Sequence, residues 1–144
     1  MHRYDVAIVG SGHGGAQAAI SLRQLGFTGS IAMITEDRDL PYERPPLSKD
    51  YFAGTKAFER ILIRPADFWS NRDITMVAGH RVTGIDPDRK TVTAQGRDAL
   101  SIGYDTLVWA AGGRPRLLSC PGAAASNVHY LRSRDDVDTI LARL

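Results

Sequence analysis

The first third of the chain alternates short, almost purely apolar runs with one helical stretch. Val6-Ala7-Ile8-Val9 and Ser30-Ile31-Ala32-Met33-Ile34-Thr35 have the uninterrupted hydrophobicity of strands buried on both faces. Between them, Ala16 to Leu25 predicts a helix whose small residues permit close contact with a sheet, ended by Gly26, with Thr28-Gly29 turning the chain. These 35 residues read as one right-handed βαβ unit.

Further on the pattern is coarser. Ile61-Leu62-Ile63 precedes Pro65, placed for the first turn of a short helix through Trp69, and Ile74-Thr75-Met76-Val77 predicts a third parallel strand. Arg81–Asp86 and Thr91–Ala94 flank the turn Pro87-Asp88-Arg89-Lys90, which predicts an antiparallel hairpin. Ala99–Ile102 extends it to a three-stranded meander, with Val82 a core strand residue. Tyr104–Trp109 is a strand running into Ala110-Ala111-Gly112-Gly113, and Trp109 is expected to pack. Leu117–Asn127 has no period and reads as loop. Ser133 and Asp136 form an acidic capping box that opens a helix with Val137, Ile140, Leu141 and Leu144 on one stripe, and the sequence stops inside it.

The first strand meets Gly10-Ser11-Gly12-His13-Gly14-Gly15, which fits G-x-G-x-x-G at Gly10, Gly12 and Gly15. Gly10 permits the tight turn, Gly12 lets a pyrophosphate approach the backbone, and Gly15 lets helix and strand pack closely. Phosphates then meet free N–H groups and the favourable end of the helix dipole. Alone, such spacing also fits a glycine-rich turn; the strand before it and the helix after it favour a dinucleotide. Glu36, 21 residues beyond Gly15, ends the second strand, where a carboxylate can accept hydrogen bonds from both ribose hydroxyls and reject a 2′-phosphate; it also reads as a solvated loop acid, and its position favours the ribose.

Leu40-Pro41-Tyr42-Glu43-Arg44-Pro45-Pro46-Leu47-Ser48-Lys49-Asp50-Tyr51 replaces the second helix of a plain nicotinamide-binding domain. Three prolines exclude a regular helix before Leu47, so the stretch reads as a rigid loop leading into a short helix. Arg44 and Lys49 on such a loop suit an anionic or electron-rich ligand, and equally suit a surface connection. The second glycine junction, at Ala111 and Gly112, reads either as another close backbone approach to a ligand or as a turn leaving the sheet. Arg114 and Arg116 contact phosphate or face solvent.

Size and composition narrow the class. The 144 residues suffice for one domain that buries roughly 68–70% of its unfolded surface. A net charge of +2 gives no footing for nucleic acid, and no apolar run approaches a membrane span, so a cytoplasmic setting is the default expectation. Cys120 is the only cysteine, which excludes an internal disulfide, a C-x-x-C pair and a cysteine zinc site. The four histidines are scattered, so no metal is expected.

LPYERPPLSK after a G-x-G-x-x-G unit and an acid resembles the FAD-dependent reductases that feed ferredoxin-type iron–sulfur partners, the putidaredoxin and rubredoxin reductase group. The resemblance implies an α/β, Rossmann-like FAD-binding domain with a parallel sheet and an antiparallel β-meander insert, a three-layer ββα arrangement. It also implies FAD as cofactor, NAD(P)H as electron donor and a ferredoxin or other iron–sulfur protein as acceptor. By matching position it places Lys49 near the isoalloxazine ring, Arg44 along the cofactor, Val82 against the adenine through its backbone and Arg132, in His129-Tyr130-Leu131-Arg132-Ser133, on FAD. Ala111-Gly112 matches the family's ATG stretch with alanine for threonine.

The implied cofactor set is therefore Gly10, Ser11, Gly12, Gly14, Gly15, Glu36, Arg44, Lys49, Val82, Ala111, Gly112 and Arg132, with no catalytic acid, base or nucleophile. Disulfide-reducing cousins carry a cysteine pair that is missing here, so electrons are expected to leave the flavin singly. No second glycine fingerprint exists. Residues 1–144 are accordingly expected to form the N-terminal part of a FAD-binding domain, with the nicotinamide and interface domains outside it and the last helix available for self-association. The alternatives are a weak dinucleotide-binding module and a short NAD-dependent dehydrogenase; the latter is disfavoured by the lack of a Tyr-x-x-x-Lys pair and by the proline loop.

Overall fold

The computed structural model describes residues 2–144. Six strands, β1 (His2–Val9), β2 (Ile31–Ile34), β3 (Ile74–Val77), β4 (Arg81–Asp86), β5 (Thr91–Gln95) and β6 (Ala99–Trp109), form one sheet in the order β3-β2-β1-β6-β5-β4. The helices are α1 (His13–Gln24), α2 (Ala66–Asn71) and α3 (Arg134–Leu141). The chain divides into two compact units, one made of the segments up to Tyr42 and Leu62–Gly112, the other of Glu43–Ile61 and Gly113–Leu144.

The first unit contains the whole sheet. β1 pairs in parallel with β2, β2 with β3, and β1 also with β6, while β4, β5 and β6 are antiparallel. The meander read from the sequence is present and is joined to the parallel sheet by β6 itself. Residues Ala99–Gly103 of that strand pair with β5 and Ile102–Trp109 pair with β1. β1 is four residues longer at its start than its apolar run, because β6 runs beside it from the His2–Ile102 pair onward. The added residues lie outside the buried part of the strand, so no hydrophobic pattern announced them.

Alternation along the strands builds two cores. Val6, Ile8, Ile31 and Met33 face Ala16, Ala19 and Ile20 of α1, together with Trp69 of α2. Ala7 and Ile34 point the other way and pack with Val92, Ala94, Ile102 and Tyr104 of the meander. A strand's period of two thus gives helix on one face and meander on the other. Arg23 locks the end of α1 by donating to the carbonyls of Phe27, Gly29, Arg72 and Asp73. Asp5 ties the neighbouring starts of β1 and β2, its Oδ2 accepting from Ser30 N–H and Oγ–H at 2.6 and 2.7 Å.

The second unit is built on turns and one helix. Pro45–Ser48 forms a 3-10 turn with proline in its first positions, where a missing N–H costs nothing; the prolines therefore start a helical turn instead of holding helix back to Leu47. Phe58–Ile61 forms another such turn, and Glu43 N–H donates to Ile61 C=O at 2.8 Å, closing the excursion. α3 carries the expected capping box: Ser133 Oγ accepts from Asp136 N–H while Asp136 Oδ2 accepts from Ser133 N–H. The helix ends at Leu141, so Leu144 lies beyond it, and the predicted stripe reduces to buried Val137, half-buried Ile140 and exposed Leu141. Leu117–Asn127 has no regular structure, as read from the sequence.

Candidate cofactor site

The glycine turn stands at the carboxyl ends of β1 and β2, where open α/β sheets receive ligands. Gly10 has φ +103°, and a Cβ there would collide with the carbonyl of Ala110 as β6 leaves the sheet. A Cβ on Gly15 would collide with the carbonyl of Gly10 and press on Ile8, so these two glycines are demanded by the chain itself. Gly12 differs: φ is −68°, and a Cβ there would meet nothing within 4 Å. Gly12 caps α1 without a side-chain acceptor, and the first turn carries no acid. The cradle is thus open on its ligand side and electrostatically suited to an anion. Gly14 is exposed at the same helix end, and a Cβ there would come no closer than 4.0 Å to its nearest neighbour, Ala110 Cβ.

Backbone bonds fix the turn against its neighbours. Gly10 N–H donates to Ile34 C=O at 2.7 Å and Ala110 N–H to Val9 C=O at 2.7 Å. Ala111 and Gly112, the second predicted junction, follow directly, and Gly112 has φ +69°. Ser11 does not offer its hydroxyl to a ligand: the side chain is buried and its Oγ–H donates to Thr35 Oγ1 at 2.9 Å. Only its backbone remains for a phosphate.

Glu36 is exposed, and its carboxylate lies 3.7 Å from Arg81 Nη1. Its neighbours are pinned, Thr35 N–H to Val77 C=O at 3.0 Å, His80 N–H to Thr35 C=O at 2.8 Å and Gly79 N–H to Asp37 C=O at 3.0 Å. Rigid backbone therefore presents a solvent-facing acid. Arg81 immediately precedes Val82, so the loop acid and the start of β4 meet at this ion pair. Val82 is half-buried against the meander core. Arg81 and Thr35 are the residues that sequence reasoning missed; nothing in strand alternation marks them.

The second unit holds the other predicted residues. Arg44 Nη1 donates to Arg132 C=O at 2.7 Å, bringing two of them together. Lys49 is exposed and follows the 3-10 turn, its N–H donating to Pro46 C=O at 3.0 Å. Arg132 N–H donates to Asp136 Oδ2 at 2.9 Å. Burial pushes the Asp136 carboxyl up, but hydrogen bonds from Ser133 and Arg132 and the charge of Arg44 outweigh it and hold it below the usual carboxylate range. Nearby, Tyr51 O–H donates to Asp138 Oδ1 at 2.6 Å, and Arg134 lies 4.0 Å over the Phe58 ring.

One sequence expectation changes here. Trp109 is 57% exposed rather than packed: it pairs with Val9 of β1 on one side, while the pairing of β6 with β5 on the other side stops at Gly103. Arg114 and Arg116 face solvent. A cavity of about 830 Å³ lies elsewhere in the first unit, lined by Arg23, Ser30, Trp69, Asp73 and Ile74 among others. It includes the starts of β2 and β3, the end of the sheet opposite the glycine turn. Among the described residues no cluster suited to a metal ion and no helix long and apolar enough to cross a membrane occurs.

The parallel order β3-β2-β1-β6 with a glycine turn at the carboxyl end of β1 defines a Rossmann-like α/β chain. The chain belongs to the pyridine nucleotide-disulphide oxidoreductase family, whose profile matches residues 4–144. It is 57% identical over 142 residues to a ferredoxin–NAD(P)(+) reductase of Sphingomonas sp., covering 98% of this chain and 34% of that protein. Identity is 48% over 145 residues to the ferredoxin reductase subunit of 5,5′-dehydrodivanillate O-demethylase of Sphingobium sp., covering 100% of this chain and 34% of that one. The solved structure of putidaredoxin reductase in covalent complex with putidaredoxin superposes with a TM-score of 0.85 at 35% identity, over 99% of this chain and 34% of that chain. The resemblance carried by the glycine fingerprint and LPYERPPLSK therefore holds, and the chain spans about one third of the length of these relatives.

Proposed function

We propose that this chain is the N-terminal part of a FAD-binding domain in an NAD(P)H-dependent reductase that serves an iron–sulfur or rubredoxin-type electron carrier. The observation that carries the reading is the contrast among the glycines: Gly10 and Gly15 are filled by the chain's own backbone, whereas Gly12 faces open space at a helix start that lacks an acceptor. That is the shape and polarity of a pyrophosphate seat. Glu36 takes the adenosine ribose, the Val82 backbone the adenine, and Ala111-Gly112 a further stretch of the cofactor. Arg44, Lys49 and Arg132 of the second unit take the cofactor roles that family resemblance gives them.

When bound, flavin supplies the conversion between hydride from reduced nicotinamide and single electrons for a carrier protein. The chain's own residues bind and orient; none is assigned a proton transfer. The ferredoxin-type acceptor is proposed because relatives matching nearly the whole chain are named ferredoxin reductases and one solved relative is complexed with putidaredoxin. The short-dehydrogenase alternative finds no support in these relatives. As a 144-residue piece the chain is expected to bind without turning over NAD(P)H.

Titration with FAD tests the reading. Saturable binding, with the visible flavin bands retained after gel filtration and lost in Gly12→Val, is the expected result. Equal binding by wild type and Gly12→Val would remove the pyrophosphate seat from the glycine turn.

A further inference from the structure

Ser11 and Thr35, each 6% exposed, carry buried hydroxyls that are bonded to each other at 2.9 Å. One belongs to the glycine turn and the other immediately precedes Glu36. Thr35 Oγ1 accepts a second hydrogen bond, from Asp37 N–H at 3.1 Å, so this single oxygen holds the backbone on the far side of Glu36 as well as the turn. Thr35 is itself fixed through its own N–H and C=O to Val77 and His80.

An alanine and a valine would fill the same space without the desolvation cost that hydroxyls carry. A hydroxyl pair adds what apolar packing lacks, a direction and a fixed separation. We infer that Ser11 and Thr35 are positioning residues that couple the phosphate turn to the ribose acid, so that the two subsites bind an adenine dinucleotide as one unit. The inference rests on the function proposed above. It assigns neither side chain a contact with the ligand.

The test is a double-mutant cycle on the full 144-residue chain, with ADP as the probe because it occupies both subsites and no flavin contact. Thr35→Val is expected to weaken ADP binding roughly fivefold and Glu36→Gln roughly tenfold, the sizes expected for a neutral and a charge-assisted hydrogen bond. The double variant is expected to lose roughly tenfold rather than fiftyfold, because an acid no longer held in register has little left to lose. Thr35→Ser, which restores the hydroxyl, is expected to return affinity to within roughly twofold of wild type. Multiplicative losses, or a serine variant as weak as the valine one, would overturn the coupling.

Amide hydrogen exchange of the ligand-free chain gives a second readout. Thr35→Val is expected to speed exchange both at Gly12–Gly15 and at Glu36–Asp37 while the strand amides stay protected. Acceleration in one segment alone overturns the inference even if ADP binds. Should Thr35→Val not fold, Ser11→Ala, which leaves the Thr35–Asp37 bond in place, serves both measurements. Failure of wild type to bind ADP would sink the dinucleotide reading, and the exchange data would then judge the coupling by themselves.

Discussion

Arg44 and Arg132, separated by 88 positions in the sequence, meet through a 2.7 Å hydrogen bond from the Arg44 guanidinium to the Arg132 carbonyl. Two cationic residues expected along the same cofactor are thus held together by a neutral acceptor, with the Asp136 carboxylate close enough for Arg44 to lower its pKa. Arg44→Ala is expected to lower stability by at least about 1 kcal/mol, the net value of this bond by itself. Urea denaturation measures it; an unmoved midpoint would show that the link holds nothing together.

Two of the motif glycines, Gly10 and Gly12, are predicted to separate by phenotype. Gly10→Ala places a side chain at φ +103° and against the Ala110 carbonyl, which combines backbone strain with overpacking. A loss of about 3 kcal/mol or more is expected. Gly12→Ala meets nothing in the chain, so its effect on folding should stay under about 1 kcal/mol while FAD affinity falls. Melting curves of the ligand-free variants beside FAD titrations distinguish the two, and equal destabilisation would contradict the geometry.

Glu36 is predicted to behave as Gly12 does. Its ion pair with Arg81 is long, at 3.7 Å, with both side chains more than half exposed. Such pairs contribute little to folding, about 0–1 kcal/mol. Glu36→Ala should therefore leave the melting temperature nearly unchanged yet weaken FAD binding by about 1.5–3 kcal/mol, the range for hydrogen bonds to a charged group. Calorimetric titration showing wild-type affinity would take the ribose from this acid.

The same residues differ in how plainly the sequence discloses them. The βαβ start is legible because Val6–Val9 and Ile31–Ile34 are buried on both faces and need no partner to reveal their period. Gly10 and Gly15 are legible because their spacing encodes two different steric demands of the chain itself. The joining of meander to parallel sheet is not, since β6 changes partners in mid-strand and pairing leaves no trace in its apolar pattern. Trp109 misleads for a related reason: a large apolar residue in a strand normally packs, and only the place where the neighbouring strand ends shows that this one is exposed. Ser11 looks like a ligand contact because the motif surrounds it, whereas its hydroxyl turns inward to a residue 24 positions away.

Acid should loosen the second unit through its capping box. Asp136 titrates below its ordinary value because the hydrogen bonds from Ser133 and Arg132, with Arg44 nearby, overcome the opposing effect of burial. A carboxyl with a depressed folded-state pKa contributes stability that is complete above its unfolded value, about 3.9, and is lost as pH falls through the folded one. Asp5 behaves alike in the first unit, with Ser30 as the cause. Denaturation midpoints of wild type should therefore decline below about pH 4, and Asp136→Asn should show a shallower decline from a lower starting stability. A variant with the wild-type acid limb would exclude the cap as its source.

Alkali should act through Tyr51. Burial, reinforced by the hydrogen bond to Asp138, raises the phenol above its ordinary pKa, with Arg134 opposing. Because the folded-state value is raised, the phenol's contribution is complete below the unfolded value of about 10 and disappears as pH rises through the folded one. Ionisation would also turn the 2.6 Å donor to Asp138 into a second anion beside it. Tyr51→Phe keeps the edge-to-face contact with Phe58 and removes the titrating group. Its stability near neutrality is expected to be about 1 kcal/mol lower, and its alkaline limb flatter than that of wild type. If the two limbs coincide, the alkaline loss belongs to the other tyrosines and the Tyr51–Asp138 bond is not what holds Lys49's segment to α3.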